Sequence, residues 1–490
     1  MTNKRIMLAQ FCNISIEAMM DKCTELMTTP IEKVVNEGII TCSEIIEMPT
    51  IETKVKSAPR KAALYHKFLF LSHLIITKCC ESKDNKVQLH TERIKNVLGS
   101  DYTYLIETLC SLGLISITST FIIGERCRYI TLKDWNIKYE SSPNLKVIEY
   151  LTKWNELTDK SIAFYSSNDV ELKIVFVDGK PQIIKQGGKE INEYDKWLYA
   201  CYNDSLSCLK LRVEKDEALG YIDTIFSDKN THKYNLCRYR ILNFDKKKLS
   251  ITSVDKQDRI YNYLTNLKKE LKPLFNIKYQ LDIANSHPLL LCKLLINKYK
   301  IEDKILNIIY SREGGDIDIL HNISEQLYNK LEYNNIHIPI DVIRFIYACS
   351  NGLIWNELQS AFPELSRSEI KHKAFGHIFY NERNIARYSA FAQRFIEVYP
   401  NVYSVIAETK DITKLPNLMM KFESRLIRKV LAECYKRGMK VISVHDAIII
   451  LDTPQNDSIT PNDIIGIIKE IYHQAQLCPM VHCDEFSINI

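Results

Sequence analysis

The sequence predicts an α+β protein: a mainly helical N-terminal half, then a C-terminal half in which strands and helices alternate. Three observations predict it. A helix, turn, helix and hairpin pattern runs through residues 87–132. Two aspartates, Asp282 and Asp446, each stand between apolar, β-like or helical runs. Between them, residues 366–384 carry cations and aromatic rings at helical spacing.

The chain has 490 residues, 46% hydrophobic and 26% charged, which is ordinary composition and room for two to four domains. No apolar run of about 18 residues predicts a membrane helix. The opening MTNKRIMLAQFCN lacks the apolar core and cleavage site of a signal peptide, so the host-cell cytoplasm is the expected location. In that reducing compartment the 15 cysteines, with no C-x-x-C pair among them, read as small buried hydrophobes. Cys478, His482 and Cys483 are ligand types close in sequence, but zinc wants four ligands and a fourth is not apparent. The net charge of +5 decides nothing, whereas its distribution is uneven. Residues 366–394 hold six Lys/Arg against two Glu, and residues 421–440 hold seven against two. Such stretches neutralise phosphates, or else form solvated helix faces.

Residues 1–60 read as helical and carry no role. Next, 87–98 (VQLHTERIKNVL) has helical spacing, and Gly99-Ser100-Asp101 makes a turn. Asp101 is placed to cap a second helix ending at Gly113. The β-like runs LISITSTFII and RCRYITL follow, joined by Gly124-Glu125. The pattern resembles a winged helix, a fold that serves either for DNA binding or as a plain protein-interaction module. Residues 141–255 mix helices (VIEYLTKWNEL, EYDKWLYACYNDSL) with strands (LKIVFVDGKPQII). The basic, aromatic KYNLCRYRILNFDKKK reads either as a nucleic-acid channel lining or as an amphipathic strand with a lysine-rich turn.

In KYQLDIANSHPLLL, a strand enters the core before Asp282 and a buried helix follows it. In KVISVHDAIIIL, two β-branched runs flank His445-Asp446, the pattern of a tight hairpin with both polar residues at its bend. A carboxylate in such surroundings costs several kcal/mol unless paired or bound to a cation. Each alone reads as a turn or ion-paired acid. Two of them, on strands ending side by side, suit a pair of Mg²⁺ ions about 3.5–4 Å apart that stabilise both oxygens of an in-line phosphoryl transfer. Arg367, Lys371, Phe375 and Phe379 fall at i, i+4, i+8 and i+12, one stripe that is cationic at its start and aromatic at its end. A triphosphate suits the cations and a base and sugar suit the rings. A basic surface helix with two core phenylalanines has the same spacing.

These elements together resemble the family A DNA polymerases and the related single-subunit phage-type RNA polymerases. Asp282 matches the strand-borne Asp of the first palm motif. Arg367, Lys371, Phe375 and Gly376 match the finger-helix pattern R-x3-K-x3-F-G-x2-Y-G in register, with Phe379 at the Tyr position. Val444, His445 and Asp446 match the V-H-D hairpin. Arg259 precedes Asn266 by seven residues, as an Arg precedes an Asn in the family. The four elements span roughly residues 255–455 in the family's order.

The resemblance implies a right-hand palm and fingers and template-directed nucleotide addition to a primer 3′-OH. It implies two Mg²⁺ ions, with Mn²⁺ as a substitute, held by Asp282, Asp446 and the main-chain carbonyl of Ile283. Arg367, Lys371, Phe375, Phe379 and His287 would form the nucleoside triphosphate site, with Lys371 as proton donor to pyrophosphate. Arg259, Asn266 and His445 would touch a DNA primer–template, or an RNA one. The implied domains are 1–60 (helical segment), 61–140 (winged-helix-like), 141–255 (thumb-like or accessory), 256–300 and 401–490 (palm) and 301–400 (fingers). The sequence departs from the family at three places. His287 replaces the Glu that helps exclude ribonucleotides, Ala447 follows the second Asp, and Tyr380 replaces a Gly. Asp169 and Glu171 have the D-x-E spacing of a proofreading exonuclease, without recognisable partner acids. A divergent DNA polymerase of a phage or mobile element is the expected activity. An RNA polymerase or primase is the alternative within that chemistry, and a DNA-binding replication initiator or regulator with a degenerate palm is the alternative outside it.

Overall fold

The computed structural model describes residues 6–28, 58–82, 85–88, 91–118, 129–165, 173–177, 180–186, 189–244, 249–310, 325, 328–329, 337–381 and 389–486. The fold is mixed α+β, mostly helical, with small antiparallel sheets. The Asp169–Glu171 pair and the Gly124-Glu125 turn lie outside the described residues. No helix among the described residues is long and apolar enough to cross a membrane. The chain forms two compact units, residues 1–167 with 213–244 and residues 168–212 with 245–490. The stretch 141–255, read as one accessory region, is therefore divided between them.

The first unit is built on the helix Ala58–Glu81, whose Leu64, Phe68, Leu71, Ile75 and Cys79 are fully buried at spacings of three and four. A strand Lys86–Gln88, helices Thr91–Leu98 and Tyr102–Ser111, and strands Ile115–Ile117 and Tyr129–Leu132 follow. The three strands form one antiparallel sheet with Tyr129–Leu132 in the middle. Three expectations are corrected here. Residues 86–88 are strand and not helix, because Val87 pairs with Ile130 on the buried face. The expected helical N-terminus contains a strand, Ile6–Phe11, paired with Ile137–Ser142. KYNLCRYRIL is a helix, His232–Leu242, capped by Thr231. Its buried Tyr234, Cys237 and Ile241 recur at i, i+3 and i+7, a helical period that its ring-rich, strand-like composition masks. There Arg238 is engaged internally, by Asp223 at 2.8 Å.

Asp101 does not cap the helix that follows; its side chain makes no capping bond. It is 3% exposed and bonds Lys67 at 2.7 Å and the Arg60 guanidinium. The pairing ties the start of Tyr102–Ser111 to the long helix. Helix Tyr102–Ser111 also packs against Ile16–Thr28, leaving Thr103, Glu107 and Ser111 as its exposed stripe.

The second unit centres on a four-stranded antiparallel sheet in the order Val441–Val444, Ala447–Leu451, Ile277–Ile283, Val481–Glu485. Ala447–Leu451 is buried throughout and reads as a continuous apolar run. Helices Leu415–Lys436 and Pro461–Gln474 pack together against this sheet. A separate hairpin, Lys173–Val177 with Lys180–Gln186, packs on helix Glu193–Ser207.

Replacing Asp101 with alanine removes the buried carboxylate that Lys67 and the partly exposed Arg60 share. The Asp101→Ala chain is expected to lose about 3 kcal/mol of unfolding free energy, the usual cost of breaking a buried pair. Chemical denaturation checks it, with Thr103→Ala as an exposed neighbour that changes stability little.

Candidate active site

Sheet register brings the two aspartates together. Asp282 pairs with Ala447, the residue after Asp446. Neighbouring strands lie about 4.8 Å apart, so both carboxylates stand at the same end of adjacent strands. His445 and Asp446 form the two-residue bend, with Val444 paired to Ala447 across it. His445 adopts φ +56, a left-handed conformation in which histidine is among the commoner non-glycine residues. Ile283 is the last residue of its strand. Asn285, at φ +54, then turns the chain into helix Ser286–Lys298, which places buried His287 beside the site.

A third carboxylate belongs to the cluster. Glu423, 2% exposed on helix Leu415–Lys436, bonds Arg259 at 2.6 Å, Ser286 Oγ at 2.9 Å and His287 Nε2 at 3.3 Å. Burial pushes its carboxyl up, but the bond and charge of His287, with Arg259 and Ser286, bring it below its ordinary value. Asp446 has less such help. Burial, then the charges of Glu423 and Asp282, outweigh its own backbone amide and the charge of His287 and push its carboxyl up to about 7. Asp282 itself accepts from the Gln280 amide at 2.6 Å.

Among the described residues, no group of three or more His, Cys, Asp or Glu side chains forms a metal cage, and Cys478, His482 and Cys483 do not make one. Two strand-end aspartates in an under-compensated negative field still fit Mg²⁺, which takes a few carboxylates and fills its remaining positions with water and phosphate oxygens.

Of the residues expected on a finger helix, Arg367 and Lys371 lie on helix Arg367–Lys373, opened by a Ser366–Glu369 capping box. Arg367 and Lys371 are exposed, and neither forms an ion pair with a described residue. The stripe does not continue at α-helical spacing. Residues Ala374–Phe379 form a π turn, in which the Tyr380 amide donates to the Phe375 carbonyl at 2.9 Å. The wider turn displaces the helical spacing by one residue. Phe379 therefore turns inward, 4% exposed, against Phe375 and Phe395. Tyr380 takes the open position: its hydroxyl meets His287 Nδ1 at 2.5 Å and its ring lies 5.1 Å from Phe375. Phe375 also contacts His287, with ring centroids 6.0 Å apart.

Arg259 lines a small pocket with Asp258, Ser424, Arg428, Ser443 and His445. His445 meets the Tyr261 ring edge-on at 5.8 Å. Asn266 is exposed at the end of a short 3₁₀ turn, Tyr263–Asn266, and among the described residues no side-chain bond orients it towards the aspartates. The basic run 421–440 is only partly a solvated face, since Arg428 is buried against Tyr199 and Asp195.

Sequence reasoning missed Glu423 and Tyr380. Glu423 had a signal: with Met419 and Ile427 it falls at i−4 and i+4 on a buried helix stripe, where an acid is expensive. Tyr380 had none, because a π turn is set by packing rather than by local sequence.

No protein-family model matches the chain, and no curated protein matches it. Among solved structures, it is similar to the POL domain of Pol1 from M. smegmatis in complex with DNA primer-template and dNTP. The two are 11% identical with a TM-score of 0.26, over 61% of this chain and 62% of that one. The chain thus spans less than two thirds of the structure it matches, and a likeness this loose assigns no residue.

The pKa of Asp446 makes a prediction for the metal-free protein. Its folded value lies above the ordinary 3.8, so the folded state binds the extra proton between about pH 4 and 7. Stability from this group is greatest at low pH and is lost as pH rises through 7. Asp446→Asn in EDTA is therefore expected to melt roughly 2–4 °C higher than wild type at pH 8. The difference should vanish towards pH 4; calorimetry across that range checks the sign.

Proposed function

We propose that the chain is a template-directed nucleotidyltransferase of the family A polymerase type, extending a DNA primer with nucleoside triphosphates and two Mg²⁺ ions. The observation that carries the reading is the register that sets Asp282 and Asp446 at one sheet end, with the carboxyl of Asp446 pushed up by burial and by neighbouring carboxylates. The sequence motifs and their order support the polymerase type.

Asp282 and Asp446 would hold the ions, with the Ile283 carbonyl as a further ligand. The ions, when bound, supply the charge that stabilises the attacking and leaving oxygens. Arg367 and Lys371, exposed and without an ion pair among the described residues, lie about two turns and one turn before Phe375, where they would take the triphosphate. Lys371 would protonate the departing pyrophosphate. Phe375 and Tyr380 would bound the base and sugar, with His287 behind them; Phe379 supports the pocket from the core. Arg259 and His445, beside the hairpin, and Asn266 would contact the primer–template.

A regulatory DNA-binding protein is less well supported. The strand and helix order of the first unit fits a winged helix, but its second helix exposes Thr103, Glu107 and Ser111. That stripe offers DNA one carboxylate and no cation, whereas phosphate contacts dominate such binding.

Primer extension tests the proposal. Wild type should incorporate nucleotides with Mg²⁺, and Asp282→Ala or Asp446→Ala should each lose several kcal/mol of transition-state stabilisation, about 10³-fold in rate. Full activity in either variant would refute the metal assignment. Lys371→Ala should lower kcat by roughly 10²-fold or more, while Arg367→Ala should mainly raise KM. Offering dNTPs and rNTPs separately, with and without a primer, decides between a DNA polymerase and an RNA polymerase or primase. Tyr380→Ala should raise the nucleotide KM, whereas Phe379→Leu should act on melting temperature, if the π turn sets the pocket as described.

A further inference from the structure

Asp282 has a supporting arrangement that the reaction outlined above does not use. Residues two apart on a strand face the same way, so Gln280 and Asp282 share a face of Ile277–Ile283. Gln280 Nε2 donates to Asp282 Oδ2 at 2.6 Å. The amide oxygen Oε1 accepts from the ammonium of Lys272. Lys272 comes from the 3₁₀ turn Lys269–Leu274 that leads into the strand. Lysine and glutamine are 8% and 7% exposed, so water does not readily replace either bond. Asp484, which faces Gln280 from Val481–Glu485, is engaged by Lys269 at 3.2 Å.

The order of the three groups follows from their chemistry. An ammonium has three donors and no acceptor, and an ionised carboxylate only accepts. Between them the amide has one favourable orientation: oxygen towards Lys272, nitrogen towards Asp282. The flipped amide would set NH₂ against NH₃⁺ and a carbonyl against a carboxylate. A lysine touching Asp282 directly would neutralise it and compete with any cation there. The interposed amide transmits orientation while keeping the ammonium one side chain away.

We propose that Lys272 and Gln280 are positioning residues of the metal site: Lys272 fixes the Gln280 amide, and Gln280 holds Asp282 Oδ2 so that Oδ1 is presented to the cation. The inference rests on the reading of Asp282 as a metal ligand. Hydrogen bonds behind a ligating group orient it, and losing one typically costs about 10–100-fold in metal affinity.

The test is Mn²⁺ binding to the full chain, without nucleotide or DNA, followed by electron paramagnetic resonance at pH 8. Gln280→Leu and Lys272→Met should each weaken binding about tenfold. The double variant should bind no worse than Gln280→Leu, because the lysine acts through the amide. Lys272→Arg, which also donates and cannot accept, should restore most of the affinity. Melting in EDTA shows which variants keep the fold. If Lys272→Met does not fold, the Gln280→Leu and Lys272→Arg pair carries the comparison. Wild-type affinity in folded Gln280→Leu, alongside lost affinity in Asp282→Asn, would overturn the positioning role and leave the metal reading standing. Additive losses in the double variant would overturn the relay. Wild-type binding in Asp282→Asn would instead remove the metal reading itself.

Discussion

Everything proposed for this protein depends on one pairing, that of Ile277–Ile283 with Ala447–Leu451. Strand geometry makes register an all-or-none matter: a slip of one residue turns every side chain to the opposite face. Five consecutive buried apolar residues in Ala447–Leu451 make that strand too costly to expose. The registration of Asp282 opposite Ala447 is therefore maintained by core burial far larger than the repulsion between two carboxylates. The site is held together by groups that take no part in its chemistry.

That constraint lets the site keep unfavourable charge. Glu423 is buried and Asp446 half-buried in one cluster, yet their carboxyls shift in opposite directions. Glu423 is given Arg259, Ser286 and His287, and its charge is satisfied within the protein. His287 then meets Tyr380, which links this network to the π turn that follows the cation-bearing helix. Glu423 thereby engages the half-buried Arg259 guanidinium beside the cluster. Arg367 and Lys371 remain outside it, exposed and available to an anion. The molecule separates charge that is balanced internally from charge open to external partners of either sign.

Much of this was legible in the sequence where local pattern and tertiary role agree. VISVHDAIIIL specifies a hairpin because β-branched runs on both sides leave the two polar residues only the bend. LDIANSH announces strand then helix for the same reason. The rest was illegible because long-range packing decided it. KYNLCRYRIL has strand-like rings and adopts helix because Tyr234, Cys237 and Ile241 find a core on one side. Asp101 looks like a cap, but Arg60 and Lys67, more than thirty residues away in sequence, claim it. A period of four predicted Phe379 on the open stripe; one π turn sets Tyr380 there and buries Phe379. Half-legible residues such as Glu423 are acids on an apolar stripe, whose burial can be inferred while their partners cannot.

If Asp446 is a metal ligand, as proposed, the same reasoning gives a divalent cation an advantage there over a protein group. A further arginine could neutralise it as Arg259 neutralises Glu423, but would make the bend a closed ion pair like Asp101. A buried pair of that kind is static: separating it costs about 3–5 kcal/mol. A cation that shares its coordination with water and phosphate oxygens can stabilise the carboxylate and still exchange ligands during a reaction. Under the proposed reading, the raised carboxyl of Asp446 is the cost of leaving a position open to a cation. The apolar strand Ala447–Leu451 beside it holds the bend in place while that cost is borne.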